Sequence, residues 1–332
     1  MISFDYKYVP PEYTSGYILK SKNFRVSYIK FKSMYKKAER GTEMVEIYLF
    51  EPKSNIAGTL VILHGLGTNN VPFLLWMGTH LANAGIRTVI PILPGNFTRV
   101  PNGSMSGKDY FSVNIEKATK FWEHAIVDML SVVEFLKNNN LWHENNCLFG
   151  FCLGGMIGVI LNAISDDFKR TILMATGGDI ATLIWYSPTL SFMRKEFKKG
   201  LGKEFYINSQ EKFLKIFKDD IEKLKQFKTV EEMQKSDIHP FLKVDPIACA
   251  KFVNPDKIIF IEALFDKALP KKTRKLLWKT LGKPEHHYIF SGHVTWLPFQ
   301  YFLAKFILKK MNAKEFRRQL RLLEKVKYED KK

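Results

Sequence analysis

The chain has 332 residues, enough to bury the core of one large domain or two small ones. Its 51 Lys and Arg residues outnumber 33 Asp and Glu residues and give a formal net charge of +18. The lysines are spread along helical patterns, and the sequence has no aromatic RNA-binding pattern, zinc-ligand spacing or helix-turn-helix signature. We therefore expect a basic solvated surface and no nucleic-acid partner.

The cysteine content and the apolar pattern bear on the compartment. Three cysteines without paired spacing argue against a disulfide framework, and a free thiol survives best in a reducing compartment. The first residues lack the pattern of a secretory signal, and no stretch reaches the roughly 18 apolar residues that a membrane span needs. The sequence predicts a cytoplasmic protein without stable membrane insertion.

The first third of the chain alternates between predicted strands and helices. Residues 24–31 and 44–50 show the period-two alternation of half-buried strands, which would form the antiparallel start of a sheet. Residues 59–63 form a buried strand candidate, and an amphipathic helix over 72–84 leads to a second buried strand over 86–91. The pattern is typical of an α/β fold.

A loop rich in Pro, Gly and Asn follows over residues 93–107. It comes after the carboxyl end of a predicted strand, where open α/β sheets hold their ligands. A long helical pattern over 112–137 then precedes the short apolar strand candidate 146–150. We expect the loop to contribute to a site at this edge of the sheet.

The six residues Gly150-Phe151-Cys152-Leu153-Gly154-Gly155 resemble a nucleophile elbow of the G-x-S-x-G type with cysteine in place of serine. Such an elbow joins a strand to a helix, and an apolar helix candidate follows over 156–161. Small residues allow the tight turn that exposes the reactive atom. Taken alone, the hexapeptide fits equally well a turn around a buried cysteine that acts as a small hydrophobe.

Two later residues favour the catalytic interpretation, because an acid and a histidine follow such an elbow in this chain order. Asp266 lies just past the continuous apolar strand candidate 257–261, and His293 follows the strand candidate 287–290. We assign Asp266 as the triad acid and His293 as the general base. Asp245 is the alternative acid, but it precedes Pro246 and does not lie at a strand end.

Near the front of the chain, the strand candidate 59–63 runs into His64-Gly65-Leu66-Gly67, the position of the loop that supplies one oxyanion donor. The amides of Leu66 and Leu153 are the candidate donors. His64 and Gly65, like Gly150 and Gly154 of the elbow, are assigned supporting roles, with His64 expected to make a structural hydrogen bond and not to act as a base.

Residues 177–244 change to lysine-rich amphipathic helices without a strand candidate, after a strand predicted over 169–175. We interpret the segment as a helical cap that covers the nucleophile. An apolar group in it either faces the substrate pocket, with Trp185 and Tyr186 as the selected lining residues, or only packs the cap on the core. Its members are Ile184, Trp185, Tyr186, Leu190, Phe192 and Met193.

These ordered motifs resemble the α/β-hydrolase superfamily over roughly residues 45–311, and the cysteine elbow resembles that of dienelactone hydrolases and, less closely, of polyhydroxyalkanoate synthases. The resemblance implies a doubly wound, mostly parallel sheet and a Cys152-His293-Asp266 triad. The chain has His64-Gly65-Leu66-Gly67 where dienelactone hydrolases carry a distinctive acidic residue. Dienelactone itself is therefore not the expected substrate.

The domain organisation predicted from these patterns has four parts. Residues 1–176 and 245–312 form the two parts of the core, 177–244 form the cap, and 313–332 form a charged C-terminal helix or tail. The thiols of Cys147 and Cys249 are expected to be buried hydrophobes. No metal-ligand cluster and no glycine-rich phosphate loop is present in the sequence, so we expect neither metal nor cofactor.

The predicted activity is cleavage of a small carboxylic ester, lactone or thioester through a thioester acyl-enzyme. Two alternatives remain. One is an acyltransferase of the polyhydroxyalkanoate synthase type, in which a hydroxyl acceptor replaces water. The other is a non-catalytic binding protein on a hydrolase scaffold. The sequence does not determine the oligomeric state.

Overall fold

The computed structural model describes residues 2–53, 56–67 and 71–311. The charged segment predicted over 313–332 lies outside the described residues. Within them, nine strands form one sheet in the order β1-β2-β3-β5-β4-β6-β7-β8-β9. The strands are β1 (Tyr13–Lys20), β2 (Phe24–Lys32), β3 (Met44–Pro52), β4 (Gly58–Leu63), β5 (Ile86–Ile92), β6 (Asn146–Phe151), β7 (Arg170–Met174), β8 (Ile258–Ala263) and β9 (Glu285–Ile289).

The sheet has an antiparallel part and a parallel part. Strands β1, β2 and β3 pair antiparallel, and β3 pairs antiparallel with β5. The pairs from β5 through β4, β6, β7 and β8 to β9 are all parallel. The carboxyl ends of six strands therefore meet at one edge, where loops converge on a common site.

Helices cover both faces of the sheet, as the doubly wound prediction requires. Strands β4, β5 and β6 are buried along their whole length, because helices lie above and below them. The helices are α1 (Val71–Asn83), α2 (Ile115–Asn138), α3 (Leu153–Ile164), α4 (Ile180–Tyr186), α5 (Ser191–Lys198), α6 (Gln210–Lys223), α7 (Val230–Lys235), α8 (Pro240–Lys243), α9 (Pro246–Ala250), α10 (Lys271–Thr280) and α11 (Gln300–Met311).

Two cores stabilise the fold. On one face α2, α3, α9 and α10 pack on the sheet together with α4 to α8, the helices of the segment 177–244. On the other face α1 and α11 cover strands β4 to β8. No described helix is long and apolar enough to cross a lipid bilayer.

The predicted strand and helix positions agree with the structure to within a few residues, with one omission. The elbow helix begins at Leu153 and not at Met156, and the last strand covers Glu285–Ile289 instead of 287–290. The sequence does not predict strand β1, because all eight of its residues are exposed and it lacks a buried face. It forms by backbone pairing with β2 at the sheet edge.

Candidate active site

Cys152 lies at the turn between β6 and α3, with backbone angles φ 53° and ψ −113°. A positive φ is rare for a residue with a side chain, so the surrounding structure must hold it. The Cys152 N–H donates to the Met174 carbonyl at 3.1 Å, and the Thr176 hydroxyl donates to the Cys152 carbonyl at 2.8 Å. Both bonds come from β7 and its carboxyl end, next to β6.

Close backbone packing explains the two glycines that flank the turn. A Cβ added to Gly154 would lie 2.2 Å from the Leu63 carbonyl oxygen, and one added to Gly150 would lie 2.5 Å from the Gly154 carbonyl oxygen. Backbone atoms cannot move aside as a flexible side chain can. Only glycine therefore fits either position, and the elbow can sit directly against β4.

His293 and Asp266 meet in the loops after β9 and β8. The Asp266 side chain is buried, and its Oδ2 lies 2.8 Å from His293 Nδ1. Its Oδ1 accepts the N–H groups of Ala268 and Leu269 at 2.8 and 3.0 Å. These bonds fix the carboxylate, and the His293 hydrogen bond helps to hold the pKa of Asp266 below its usual value in spite of burial.

His293 is also fixed from its other sides. Its carbonyl accepts the Trp296 indole N–H at 3.0 Å, and the Phe151 ring lies 5.2 Å from the imidazole. Burial lowers the pKa of His293, but the nearby Cys152 sulfur and Asp266 outweigh it and raise this pKa to about 10. The structure therefore brings together the three residues assigned to the triad, with a protonated imidazole favoured beside the sulfur.

The two candidate oxyanion amides flank the turn. Leu153 begins α3, and Leu66 lies in the loop after β4. Within the described residues no backbone carbonyl accepts a hydrogen bond from either amide. The Gly67 N–H donates to the Asn96 side chain at 3.0 Å, which holds the loop next to the segment that follows β5.

His64 has a structural environment. It is fully buried, its Nδ1 lies 2.7 Å from the Gly65 carbonyl and its Nε2 accepts the Leu93 N–H at 3.0 Å. Burial lowers the pKa of His64 to about 4, so the ring stays neutral. Gly65 packs beside the elbow, where an added Cβ would lie 3.2 Å from the Cys152 Cβ.

A buried ion pair holds the loop 93–107. Arg99 donates to Asp128 Oδ2 at 2.6 Å, to the Ile92 carbonyl at 2.7 Å and to the Thr42 carbonyl at 2.6 Å. Both side chains are almost completely buried. These bonds tie the loop to α2 and β5, and two loop residues, Met105 and Ser106, line the cavity above Cys152.

That cavity has a volume of about 570 Å³ and a largely apolar lining. Cys152, Leu153 and His293 lie in its wall. The segment 177–244 and the loops at the sheet edge supply most of the remaining surface: Leu66, Gly67, Met105, Ser106, Lys108, Phe111, Met156, Leu183, Ser187, Thr189, Leu190, Phe192, Leu269 and Val294. A pocket of this size and polarity suits a small to medium apolar ligand.

The structure does not bring Trp185 and Tyr186 to this cavity. The Trp185 ring packs on Phe197 with centroids 5.3 Å apart, and the Tyr186 hydroxyl accepts a hydrogen bond from Gln210. The neighbouring α4 residue Leu183 points inward instead. Leu190 and Phe192 of the same apolar group do line the cavity, so the group is divided between lining the cavity and packing.

Sequence reasoning also missed Lys108, Leu269 and Val294 as lining residues. Leu269 and Val294 each lie within three residues of a residue assigned to the triad, so proximity in the sequence is an available signal. For Lys108 the position depends on the path of the loop 93–107, which carries no periodicity. Within the described ranges, no group of His, Cys, Asp and Glu side chains is arranged to hold a metal ion.

Asp245, the alternative acid, has a different environment. It is completely buried, and it accepts the N–H groups of Asp179, Ile180 and Ile247 at 3.1, 2.5 and 2.8 Å. Its carboxylate thus joins the start of α4 to the start of α9. The thiols of Cys147 and Cys249 are also buried, which raises the pKa of both.

The sheet order, the helices on both faces and the elbow after β6 define the α/β-hydrolase fold. No family model matches the chain, and no curated protein matches it. Solved structures do. An acetyl xylan esterase from Paenibacillus sp. R4 superposes with a TM-score of 0.62 and 14% identity, over 90% of this chain and 89% of that one.

Two further structures share the fold. Acetyl xylan esterase 1 from Thermoanaerobacterium sp. JW/SL YS485 has a TM-score of 0.54 and 13% identity, over 86% of this chain and 83% of its own. The acylaminoacyl peptidase of Pyrococcus horikoshii has a TM-score of 0.56 and 16% identity, over 86% of this chain but only 41% of that one. At such low identities the similarity establishes the fold alone.

Proposed function

We propose that the protein is a cysteine-dependent hydrolase that cleaves carboxylic esters, lactones or thioesters. The observation that carries the proposal is the arrangement of three side chains. Asp266 holds His293 through Nδ1, His293 is close enough to Cys152 for the sulfur to raise its pKa, and Cys152 lies in the wall of an apolar cavity. The orienting acid thus contacts the base, and the base lies beside the nucleophile.

The first half of the reaction forms a thioester. The Cys152 thiolate attacks the carbonyl carbon, and the carbonyl oxygen takes up the negative charge, which the Leu66 and Leu153 amides stabilise. The bond from the carbonyl carbon to the leaving oxygen, or to the leaving sulfur of a thioester, then breaks, and protonated His293 transfers its proton to that atom. The acyl group remains on sulfur, and neutral His293 remains beside it.

The second half restores the enzyme. His293 takes a proton from water, the hydroxide formed attacks the thioester carbonyl, and the same amides stabilise the charge on oxygen. Collapse releases the acid and the thiolate. A thiolate is also a good leaving group, so attack on an amide reverts more easily than it proceeds, which favours esters and thioesters. Three structural neighbours with esterase or peptidase names fit this acyl-transfer chemistry.

The proposal includes a reducing compartment, such as the cytoplasm. All three cysteines are free thiols, and catalysis by Cys152 requires its sulfur to remain reduced.

The test compares the wild type with Cys152→Ala, Cys152→Ser and His293→Ala on short-chain p-nitrophenyl esters and thioesters. We expect kcat/KM to fall by at least about a thousandfold in both alanine variants, because each removes a group that acts in the transition state. Cys147→Ala is the matched control, since it also removes one thiol, and it should retain activity. Mass spectrometry of the quenched wild type should show an acyl adduct on Cys152.

Two results would contradict the proposal. Unchanged turnover in Cys152→Ala would remove the nucleophile from the mechanism. A wild type that is inert on the whole panel until an alcohol or coenzyme A acceptor is added would identify an acyltransferase instead.

A further inference from the structure

Large apolar side chains are exposed at the edge of the sheet where the cavity lies. They follow the carboxyl ends of strands β5, β8 and β9 or begin the helix after β9, so they lie at the same edge of the sheet as Cys152. We call them the aromatic rim: Met105, Phe265, Phe290, Val294, Phe299 and Phe302. The Phe290 residue is 86% exposed, and a cluster of large exposed apolar side chains is typical of an interaction surface.

The rim residues form two groups at this edge of the sheet. Met105 and Val294 line the cavity together with Cys152. The Phe265 N–H donates to the Ser291 carbonyl at 3.0 Å, which places Phe265 beside the turn that carries Phe290. Phe290, Phe299 and Phe302 then line a common apolar groove of about 370 Å³. Phe290 of the groove and Val294 of the cavity wall are four residues apart in the connection between β9 and α11, which joins the two groups along the chain.

Positive charge accompanies the rim. Lys108 lines the cavity three residues after Met105, and the exposed Lys267 follows Phe265 by two residues. The whole chain carries a formal net charge of +18. Exposed aromatic rings next to lysines, on a strongly basic protein, match the apolar interior and the negative headgroups of an anionic lipid surface.

We propose that the aromatic rim docks the protein on an anionic lipid surface, with the cavity of Cys152 opening towards the lipid. A second copy of the chain fits the rim less well, because two bodies of charge +18 repel each other at close approach. The rim is also built from loops and a helix start, which can enter a fluid interface without a complementary shape. This docking goes beyond the proposed function and does not require the chemistry of Cys152.

The test measures flotation with vesicles of phosphatidylcholine alone and of phosphatidylcholine mixed with phosphatidylglycerol. We expect the wild type to float with the mixed vesicles and to dissociate as salt is added. The double variant Phe290→Ser/Phe302→Ser should lower the partition coefficient at least about tenfold, because each exposed ring contributes apolar area to the interface. Both rings are exposed, so the fold should be retained.

The matched control is Ile18→Ser/Leu19→Ser, which removes two exposed apolar side chains from β1, the outer strand on the side of the sheet away from β9. It should bind the mixed vesicles as the wild type does, and so should Cys152→Ala. Vesicle binding by an inactive Cys152→Ala variant separates the docking from the proposed catalysis.

Three outcomes would overturn the docking. The first is that the wild type does not bind the mixed vesicles, and the second is that the rim variant binds them as well as the wild type does. In the third, analytical ultracentrifugation shows a wild-type dimer that the rim variant converts to monomers, which would make a second copy the occupant.

Discussion

The Cys152 sulfur and Asp266 set the charge state of His293 through direct electrostatic interaction. Burial by itself would lower the pKa of His293 from its ordinary value of 6.5, yet that pKa is raised to about 10, and the sulfur is the first of the influences that raise it. Asp266 adds to the effect through its hydrogen bond. The imidazole therefore stays protonated at neutral pH because of these two neighbours.

The first prediction follows from this dependence. In Cys152→Ala the pKa of His293 should fall clearly below about 10, because Asp266 alone remains to oppose burial. An NMR pH titration of the imidazole Cε1–H signal measures it, with Cys147→Ala as the control. An identical titration in wild type and Cys152→Ala would show that the sulfur does not raise the pKa of His293.

The same pKa has a consequence for stability. A histidine whose pKa is raised in the folded state stabilises the fold. This stabilisation is fully present below the unfolded pKa of 6.5 and is lost as the pH rises through about 10. The free energy of unfolding should therefore decline over this window more steeply in the wild type than in Cys152→Ala.

The elbow glycines give a third prediction at the residue scale. Gly154→Ala forces a Cβ to within 2.2 Å of a backbone oxygen and should lower the free energy of unfolding by about 3 kcal/mol or more. Gly16→Ala in β1 meets nothing within 4 Å and should change it by less than about 0.5 kcal/mol. Urea unfolding of both variants measures the difference, and equal stabilities would contradict the packing described for the elbow.

At the scale of elements, α4 depends on one buried carboxylate. Asp245 accepts three buried N–H groups, two of them at the start of α4, and α4 supplies Leu183 to the cavity. The carboxylate thereby fixes where the segment 177–244 leaves the core. A second hydrogen bond, from the Ser187 hydroxyl to the Ala268 carbonyl at 2.6 Å, joins the end of α4 to the loop of Asp266.

The prediction is that Asp245→Ala lowers the free energy of unfolding by about 2–4 kcal/mol, because it leaves buried N–H groups without an acceptor. Asp256→Ala serves as the control, since Asp256 is exposed, and it should cost less than about 0.5 kcal/mol. Guanidinium unfolding measures both. A loss in Asp245→Ala no larger than in the control would mean that α4 does not need this anchor.

At the scale of the whole molecule, charge opposes compactness. With a formal net charge of +18, the positive charges on the folded chain repel one another. Each exposed ion pair between a lysine and a carboxylate contributes little to stability. Added sodium chloride should therefore raise the thermal midpoint between low and physiological ionic strength, because screening of repulsion outweighs the weakening of those pairs. Calorimetry at several salt concentrations measures it, and a midpoint that falls with salt would show that the pairs dominate.

Much of the fold was predictable because its central strands are buried on both faces and read as apolar runs. Strands β4 to β8 and the elbow can be located from the local sequence, because a buried strand and a glycine turn each have a short-range pattern. Strand β1 has no such pattern, because its side chains are exposed and only its backbone pairs. It could not be located without knowledge of β2 as a partner.

The site was predictable to the extent that it follows chain order. Cys152, Asp266 and His293 each follow a strand, so the shared carboxyl edge of the sheet brings them close. Which face of α4 turns inward is decided by packing against distant residues such as Phe197, and the local sequence therefore selected Trp185 and Tyr186 in place of Leu183. The exposed rim likewise depends on where three separate loops converge.

The two edges of the sheet differ in what they supply. The connections at the carboxyl edge line the cavity, whereas the connections that enter β6, β7, β8 and β9 from the opposite edge contribute no residue to it. Substitutions in these two sets of connections should therefore have separate effects, since those at the carboxyl edge change the cavity wall and those at the opposite edge change only the stability of the scaffold. A lineage of this fold can acquire new specificity without rebuilding the scaffold that supports it.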